Sequence, residues 1–149
     1  MIALVQKVSN ASVAARSKKV AQIKKGLVVF LGIFDDDIED DIFKVSKKIL
    51  NLRVFNNSEE NEQYSVQKIE GEILLVSQFT LCAQTKKGNR PSFKKAMNSK
   101  KALKYFNLVV EELSKKVITK TGMFGEKMEV SLVNNGPMTI ILNTKNEKH

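Results

Sequence analysis

The chain has 149 residues, 42% of them hydrophobic, so it is long enough to bury a core as one domain and is not expected to be disordered. Its 25 lysines and arginines exceed its 16 aspartates and glutamates, and this net charge of +9 indicates a phosphate-rich or otherwise acidic partner. Cys82 and His149 are the single cysteine and the single histidine. One cysteine excludes an intramolecular disulfide. One cysteine and one histidine are too few for a structural zinc site within one chain, and a single histidine argues against catalysis by histidine.

The amino-terminal segment has no charged leader before its apolar run, and nowhere do 18 apolar residues follow one another. We therefore expect a cytoplasmic protein without a membrane partner. The chain also lacks repeats, low-complexity tracts and Pro/Gly/Ser-rich linkers. Residues 1–149 are expected to form a single domain, with about 143–149 as a frayed tail.

The first third of the chain is predicted to be extended. Four short runs are β-branched or alternating and are predicted to be strands: 1–8, 12–15, 20–23 and 27–34. The last run is almost entirely apolar, which predicts a central strand covered on both faces. The run Asp35-Asp36-Asp37 is predicted to supply the N-cap of a helix over 38–51, and the acidic stretch 35–41 is interpreted as an interaction with the helix dipole rather than as a metal site.

The remaining two thirds alternate between strands and one further helix. Strands are predicted at 52–55, 64–66, 72–81, 117–121, 128–133 and 138–142. The strand that begins at residue 72 is apolar at first and polar at its end. Asn98 or Ser99 is predicted to cap a second helix that ends near residue 116. This order of elements predicts an α/β fold in which a mixed sheet is layered with two main helices.

The segment 86–104 carries eight positive charges and no acidic residue; they are Lys86, Lys87, Arg90, Lys94, Lys95, Lys100, Lys101 and Lys104. A solvated surface would intersperse both signs, so this segregation favours a nucleic-acid partner. The excess of lysine over arginine is typical of contacts with phosphates rather than of base reading. Phe93 and Tyr105 lie in or beside the segment, and for Tyr105 packing is favoured over stacking on a base.

Two hydroxyls and an amide follow directly after the buried run that begins at residue 72. These are the polar members of Ser77-Gln78-Phe79-Thr80. Rigid strand ends are where α/β folds commonly build sites, so this segment is a candidate for positioning a substrate. The alternative, that Ser77 and Thr80 merely satisfy their own backbone in a turn, stays open.

A second candidate is Asn134-Asn135-Gly136-Pro137-Met138-Thr139. An Asn-Gly pair between two strands is typical of a tight hairpin. A Gly-Pro peptide can also be cis at a small cost. In that form two carbonyls would point in one direction beside a residue that has no side chain. Such a rigid element could act as a steric gauge.

These two segments resemble the signature motifs of the D-aminoacyl-tRNA deacylases. Further similarity lies in 6–8, 48–53, 87–93 and 122–128, and the likeness runs from Met1 to about Leu142 without large gaps. The resemblance implies barrel-like mixed β-sheets and a homodimer that needs no cofactor and no metal. It implies an ester hydrolase that acts on aminoacyl-tRNA and not on DNA. Such an enzyme would release D-amino acids, and glycine mischarged on tRNA-Ala, from the tRNA. Because it would spare L-aminoacyl-tRNA, it would proofread translation.

The resemblance also implies a role for each matching residue. The ester and the terminal adenosine would be lined by Ser77, Gln78, Phe79 and Thr80. A chiral gate, cis and reaching into the partner's site, would be formed by Gly136 and Pro137. Supporting positions would be Lys7, Asn134, Thr139, Phe124 and Met128, the last two in the adenine pocket. Contacts to the tRNA backbone would come from Lys86, Lys87, Arg90, Lys94 and Lys95.

Two positions depart from the family's pattern, because Lys7 stands where arginine is usual and Met138 where a smaller β-branched residue is common. For the mechanism we favour assistance by the 2'-hydroxyl of the terminal adenosine, with backbone NH groups stabilising the oxyanion. The alternative makes Thr80 a nucleophile, for which the sequence offers no adjacent base. A noncatalytic RNA-binding domain is a rival from another class, and a purely oligomerising scaffold ranks last.

Overall fold

The computed structural model of the protein describes residues 1–57, 62–86 and 88–145. The elements within these ranges are, in chain order, β1 (Ile2–Ala15), β2 (Lys18–Ile23), β3 (Gly26–Gly32), α1 (Glu39–Asn51), β4 (Phe55–Asn57), β5 (Glu62–Tyr64), β6 (Glu72–Ser77), a 3₁₀ helix (Phe79–Cys82), α2 (Ser99–Ser114), β7 (Thr119–Thr121) and β8 (Met128–Asn143). No helix in this part of the chain has both the length and the apolar character that a membrane crossing requires.

The main sheet is mixed. Its strands follow the order β2-β1-β3-β6-β7, and β8 pairs with the other edge of β1. The pairs β3–β6 and β6–β7 are parallel, whereas β1 is antiparallel to β2, β3 and β8. Because β2 also contacts β6 and β7, the sheet curls into a nearly closed barrel. The predicted fold class, a single α/β domain with a barrel-like mixed sheet and two main helices, is confirmed.

The central strands β3 and β6 are buried on both faces, as their apolar runs predicted. Alternate residues of a strand point to opposite sides of a sheet. Val28 and Leu74 accordingly belong to one apolar cluster, whereas Val29 and Leu75 belong to the other. The second of these clusters also contains the inner faces of both helices, with Ile42, Val45, Ile49, Ala102, Phe106 and Val109.

The helices match the predicted spans closely, but the start of α1 differs. Asn98 caps α2, since its Oδ1 accepts a hydrogen bond from the NH of Lys101 at 3.1 Å. The N-cap of α1 is Ile38, whose NH donates to the Asp41 carboxylate at 3.0 Å. The predicted cap at Asp35–Asp37 is therefore wrong. Asp37 is 1% exposed and accepts instead from the amino group of Met1 at 2.7 Å.

Two strands are longer than predicted. The sequence pattern divides β1 and β8 into two pieces each, because polar residues interrupt both apolar runs. β1 is continuous because it changes partners along one edge, from β3 at residues 2–8 to β2 at residues 11–15. β8 runs along the other edge of β1 for nearly its whole length.

The predicted strands at 52–55 and 64–66 are shifted to β4 and β5, which pair as a separate two-stranded sheet.

The expected frayed tail at 143–149 is also incorrect in its first part. Asn143 ends β8, and the NH of Thr144 donates to the carbonyl of Met1 at 3.0 Å. Lys145 forms an ion pair with Asp36 at 2.6 Å. Residues 146–149, which include His149, lie outside the described residues.

The burial of β6 predicts a matched difference between two isoleucines. Ile73 in β6 is 0% exposed and Ile118, just before β7, is 62% exposed. We expect Ile73→Ala to lower the free energy of unfolding by about 2–5 kcal/mol because it leaves a cavity in the core. Ile118→Ala should change it by no more than about 0.5 kcal/mol. Urea unfolding followed by circular dichroism at one protein concentration measures both, and equal losses would contradict the assignment of the core.

Candidate active site

A cavity of about 530 Å³ opens where β3 and β6 end. Since these strands are parallel, their carboxyl ends lie at the same edge of the sheet. The start of α2 and the segment 124–130 complete the walls. The cavity brings together five of the residues singled out from the sequence: Ser77, Gln78, Phe79, Phe124 and Met128.

The chain turns sharply after Ser77 into the 3₁₀ helix. The backbone NH of Gln78 donates to the carbonyl of Leu31 at 2.8 Å, which fixes the turn against β3. The side-chain amide of Gln78 donates to the hydroxyl of Thr80. The Thr80 hydroxyl thus has a side-chain partner, whereas for Ser77 the turn alternative stays open. Phe79 and Thr80 open the 3₁₀ helix, and the first NH groups of a helix have no partner within it.

Aromatic side chains stand at the edge of the cavity. Phe79 is 59% exposed, and its ring packs edge-on against Phe93 with 5.2 Å between the centroids.

Tyr105 is buried in the core, so the packing interpretation of this residue is confirmed. Lys101 lies over its ring, with Nζ 5.2 Å from the centroid.

The wall opposite the 3₁₀ helix is formed by the segment between β7 and β8. A Cβ built on Gly122 would lie 2.4 Å from the Sδ of Met128, so the missing side chain leaves the room that Met128 fills. The ring of Phe124 packs against Phe106 of α2 at 5.5 Å between centroids. Glu126 in this segment forms an ion pair with Arg16 of the β1–β2 turn. Both contacts hold the wall in place.

Sequence reasoning missed several apolar residues of the cavity. Leu31, Ile33, Met97 and Ala102 all line it. The first two follow from the fold once β3 is placed beside β6, because the residues at the ends of parallel neighbours share one edge. The other two belong to the segment before α2 and to its first turn, and no local pattern distinguishes them from ordinary core residues.

The segment around Gly136 and Pro137 is a bulge within β8. Gln6 lies opposite Thr139 and Val8 opposite Asn134, so residues 135–138 face Lys7 alone. The chain does not reverse here, and the hairpin interpretation is therefore wrong. The Gly136–Pro137 peptide bond is cis, both residues are exposed, and no atom lies within 4 Å of a Cβ built on Gly136.

Side chains hold the bulge at both of its ends. The amide of Asn134 donates to the carbonyls of Lys7 and Met138 at 3.0 and 3.3 Å. The amide of Gln6 donates to the hydroxyl of Thr139 at 3.2 Å. Lys7 itself is 8% exposed. The two ends are thus tied to β1, whereas the tip is exposed.

The residues singled out from the sequence consequently fall into two groups. One lines the cavity. The other surrounds the bulge and contributes nothing to that cavity within a single chain: Lys7, Asn134, Gly136, Pro137 and Thr139. Thr80 lies in the 3₁₀ helix beside the cavity without lining it.

The basic segment borders the cavity at Ala96, Met97 and Ser99, and we call its described residues, 86 and 88–104, the basic rim. The positive side chains on this segment are exposed: Lys86, Arg90, Lys94, Lys95, Lys100 and Lys101. Lys104 lies 3.8 Å from Glu39 of α1. Lys87 lies outside the described residues. A polyanion that enters the cavity would pass this rim.

The cysteine at the end of the 3₁₀ helix offers no nucleophile. Cys82 is buried, and burial raises the pKa of its thiol to about 11. The thiol is therefore protonated near neutral pH, and the thiolate is the reactive form.

Comparison with known proteins gives the class to which this architecture belongs. Residues 4–143 match the family model described as D-Tyr-tRNA(Tyr) deacylase. A D-aminoacyl-tRNA deacylase of Flavobacterium psychrophilum is 49% identical, with 99% of this chain and 100% of the relative covered. Another, from a Sulfurihydrogenibium species, is 46% identical, with 97% and 99% covered.

Two solved structures are similar over almost the whole chain. The c-Myc DNA unwinding element binding protein has a TM-score of 0.91 at 39% identity, with 97% of this chain and 99% of that one covered. A probable eukaryotic D-amino acid tRNA deacylase has a TM-score of 0.82 at 14% identity, with 95% and 97% covered, and at that identity the likeness concerns the fold alone. The class is thus that of the aminoacyl-tRNA deacylases, which are ester hydrolases. This chain belongs to the D-Tyr-tRNA(Tyr) deacylase family.

Proposed function

We propose that this protein hydrolyses the ester bond of D-aminoacyl-tRNA, releases the free D-amino acid and tRNA, and rejects L-aminoacyl-tRNA. The observation that carries the proposal is the bulge at Gly136–Pro137, which is exposed, has open space around Gly136 and does not line the cavity of its own chain. Glycine mischarged on tRNA-Ala, which has no side chain to reject, is included among the substrates. The protein would thereby proofread translation in the cytoplasm.

The separation of bulge and cavity in one chain supports a homodimer. A two-fold axis makes every contact reciprocal, so a bulge that enters the partner's cavity implies that both cavities are completed at once. Phe79 at the cavity and Val133 next to the bulge are 59% and 53% exposed. Burial of such apolar side chains favours association.

Stereochemical selection would follow from the lack of a side chain at the tip. Backbone held at both ends, by Asn134 and by the pair Gln6–Thr139, cannot adapt to what lies beside it. Its carbonyls would accept hydrogen bonds from the amino group of the substrate. The side chain of an L-amino acid would then point into the backbone, whereas the side chain of a D-amino acid would point away from it.

For the chemical step, the backbone NH groups at the start of the 3₁₀ helix would stabilise the oxyanion. The 2'-hydroxyl of the terminal adenosine would assist the attacking water or the leaving group. Thr80 would position the substrate through its contact with Gln78. The amide of Gln78 donates to Thr80 and is not a base, which weighs against the alternative that Thr80 is an activated nucleophile.

The basic rim would bind the tRNA backbone, through Lys86, Lys87, Arg90, Lys94 and Lys95. A noncatalytic RNA-binding domain would need the same rim, so the rim alone does not distinguish the two functions. A noncatalytic RNA-binding domain would have no use for the projecting bulge, whereas a stereochemical filter requires it.

The first test compares D- and L-tyrosyl-tRNA as substrates, with and without EDTA. We expect the D ester to be hydrolysed at least about 100-fold faster than the L ester, because the rigid tip discriminates by exclusion. EDTA should not change the rate, since no metal takes part. Release of L-tyrosine at a comparable rate would contradict the gate, and tRNA binding without release of either amino acid would support the noncatalytic domain.

The second test concerns the contribution of the partner subunit. Gly136→Leu adds a side chain at the tip, where its own protomer has open space, and Ser77→Trp fills the cavity. We expect each homodimer to be inactive and the mixed dimer, isolated with two different tags, to recover about half of the wild-type activity, because one of its two sites carries neither change. Unfolding midpoints of both variants serve as controls for folding. An inactive mixed dimer would show that each site belongs to one chain.

The third test separates the two mechanisms. With D-tyrosyl-tRNA that ends in 2'-deoxyadenosine, we expect kcat to fall at least about 100-fold, because the assisting hydroxyl is missing. Thr80→Ala should retain measurable turnover, and mass spectrometry of the wild type during turnover should show no acyl adduct. An adduct on Thr80, together with an inactive Thr80→Ala variant, would establish the nucleophile instead.

A further inference from the structure

A second cavity, of about 620 Å³, lies away from the proposed active site. The C-terminal half of α1, the residues that follow it and the end of β8 form its walls, and we call it the α1 groove. None of its residues lines the first cavity or belongs to the basic rim. Four of the lining side chains are cationic: Lys44, Lys47, Lys48 and Arg53.

Two of the four cations of the α1 groove have no ion-pair partner among the residues that the structure describes. Lys44 is paired with Asp40 at 2.6 Å. Lys47 and Arg53 are exposed and form no ion pair with any residue in the described ranges. The backbone beneath them is fixed, because the Asn51 amide donates to the carbonyl of Lys47 at 2.8 Å. The groove is thus a positively charged concave surface on an ordered segment.

α1 connects this groove with the basic rim. At the N-terminal end of the helix, the NH of Asp35 donates to the carbonyl of Lys95 at 2.9 Å, and Glu39 lies close to Lys104. The helix has 13 residues and so spans about 20 Å. Three of the exposed acidic side chains near its start have a lysine partner: Asp36 with Lys145, Glu39 with Lys104 and Asp40 with Lys44.

We propose that the α1 groove binds the phosphodiester backbone of the tRNA body, beyond the rim that receives the acceptor end. The inference rests on the proposed function for the identity of its substrate. Lys47 and Arg53 carry the contact, since exposed cations that face phosphates release counterions on binding. An acylated 3' end engages the cavity and the rim, whereas only a full-length tRNA reaches the groove.

The test compares Lys47→Gln/Arg53→Gln with a control of equal charge change, Lys18→Gln/Lys25→Gln. Both control lysines are exposed; Lys18 begins β2, and Lys25 lies in the turn between β2 and β3. We expect the groove variant to raise the KM for D-tyrosyl-tRNA about five- to tenfold and to make the salt dependence of log KM shallower by about one to two. Its kcat should not change, and neither should its KM for D-tyrosyl-adenosine, which is too short to reach the groove. The control should behave as the wild type.

Other outcomes overturn the inference. A KM for D-tyrosyl-tRNA equal to that of the wild type, or an equal rise in the control, would show that the groove has no specific contact with tRNA. A rise in KM for D-tyrosyl-adenosine would trace the effect to the active site. Loss of the dimer in light scattering would identify the groove as a protein interface.

Failure of the proposed function would look different, because the wild type would then hydrolyse neither D-aminoacyl substrate. In that case, binding of uncharged tRNA measured over a range of salt concentrations still tests the groove. We then expect the groove variant to bind more weakly than the control and with a shallower salt dependence. Equal binding by the two variants would overturn the inference.

Discussion

The mismatch in length between β1 and β8 is the constraint on which the rest of the proposed site depends. The two strands pair over nearly their whole length, but four residues of β8 face Lys7 alone. Because β8 is paired with β1 both before and after these four residues, the excess residues bulge out of the strand. A glycine and a proline occupy the middle of the excess, so the element that protrudes is backbone without flexible side chains.

The cavity has a different physical origin. Two parallel, buried strands end together, and the chain after β6 turns at once into a 3₁₀ helix whose first NH groups have no partner within the helix. The chemistry that such a site offers is carried by the backbone. This fits a chain with one histidine, at position 149, and one cysteine that is buried and protonated. In the proposed mechanism, backbone groups at the bulge and at the cavity take the place of reactive side chains.

Features that depend on local chemistry could be predicted from the sequence. The apolar run of β3, the cap at Asn98 and the polar end of β6 each follow from neighbouring residues, and the structure contains all three. The two signature segments resemble those of the family to which the chain belongs. Their assignment to a site rested on resemblance, since no local rule distinguishes the Asn-Gly pair of a hairpin from that of a bulge.

Features that depend on distant partners could not be predicted in this way. Polar residues such as Ser9 and Asn10 predict the end of a strand, yet β1 continues through them because β2 and β8 pair with its second half. Asp37 precedes the helix as a cap would, but its carboxylate instead accepts a hydrogen bond from the buried amino group of Met1, 36 positions earlier in the chain. The α1 groove brings residues after α1 next to the end of β8. Each case is a long-range juxtaposition that sequence periodicity does not record.

The contact between Gly122 and Met128 gives the cavity one yielding side. A thioether on an unbranched chain changes rotamer easily and fills irregular space. The thioether of Met128 occupies the volume that a β-carbon on Gly122 would have taken. Rotation of this one side chain can therefore change the shape of that part of the cavity, while the backbone around it stays in place.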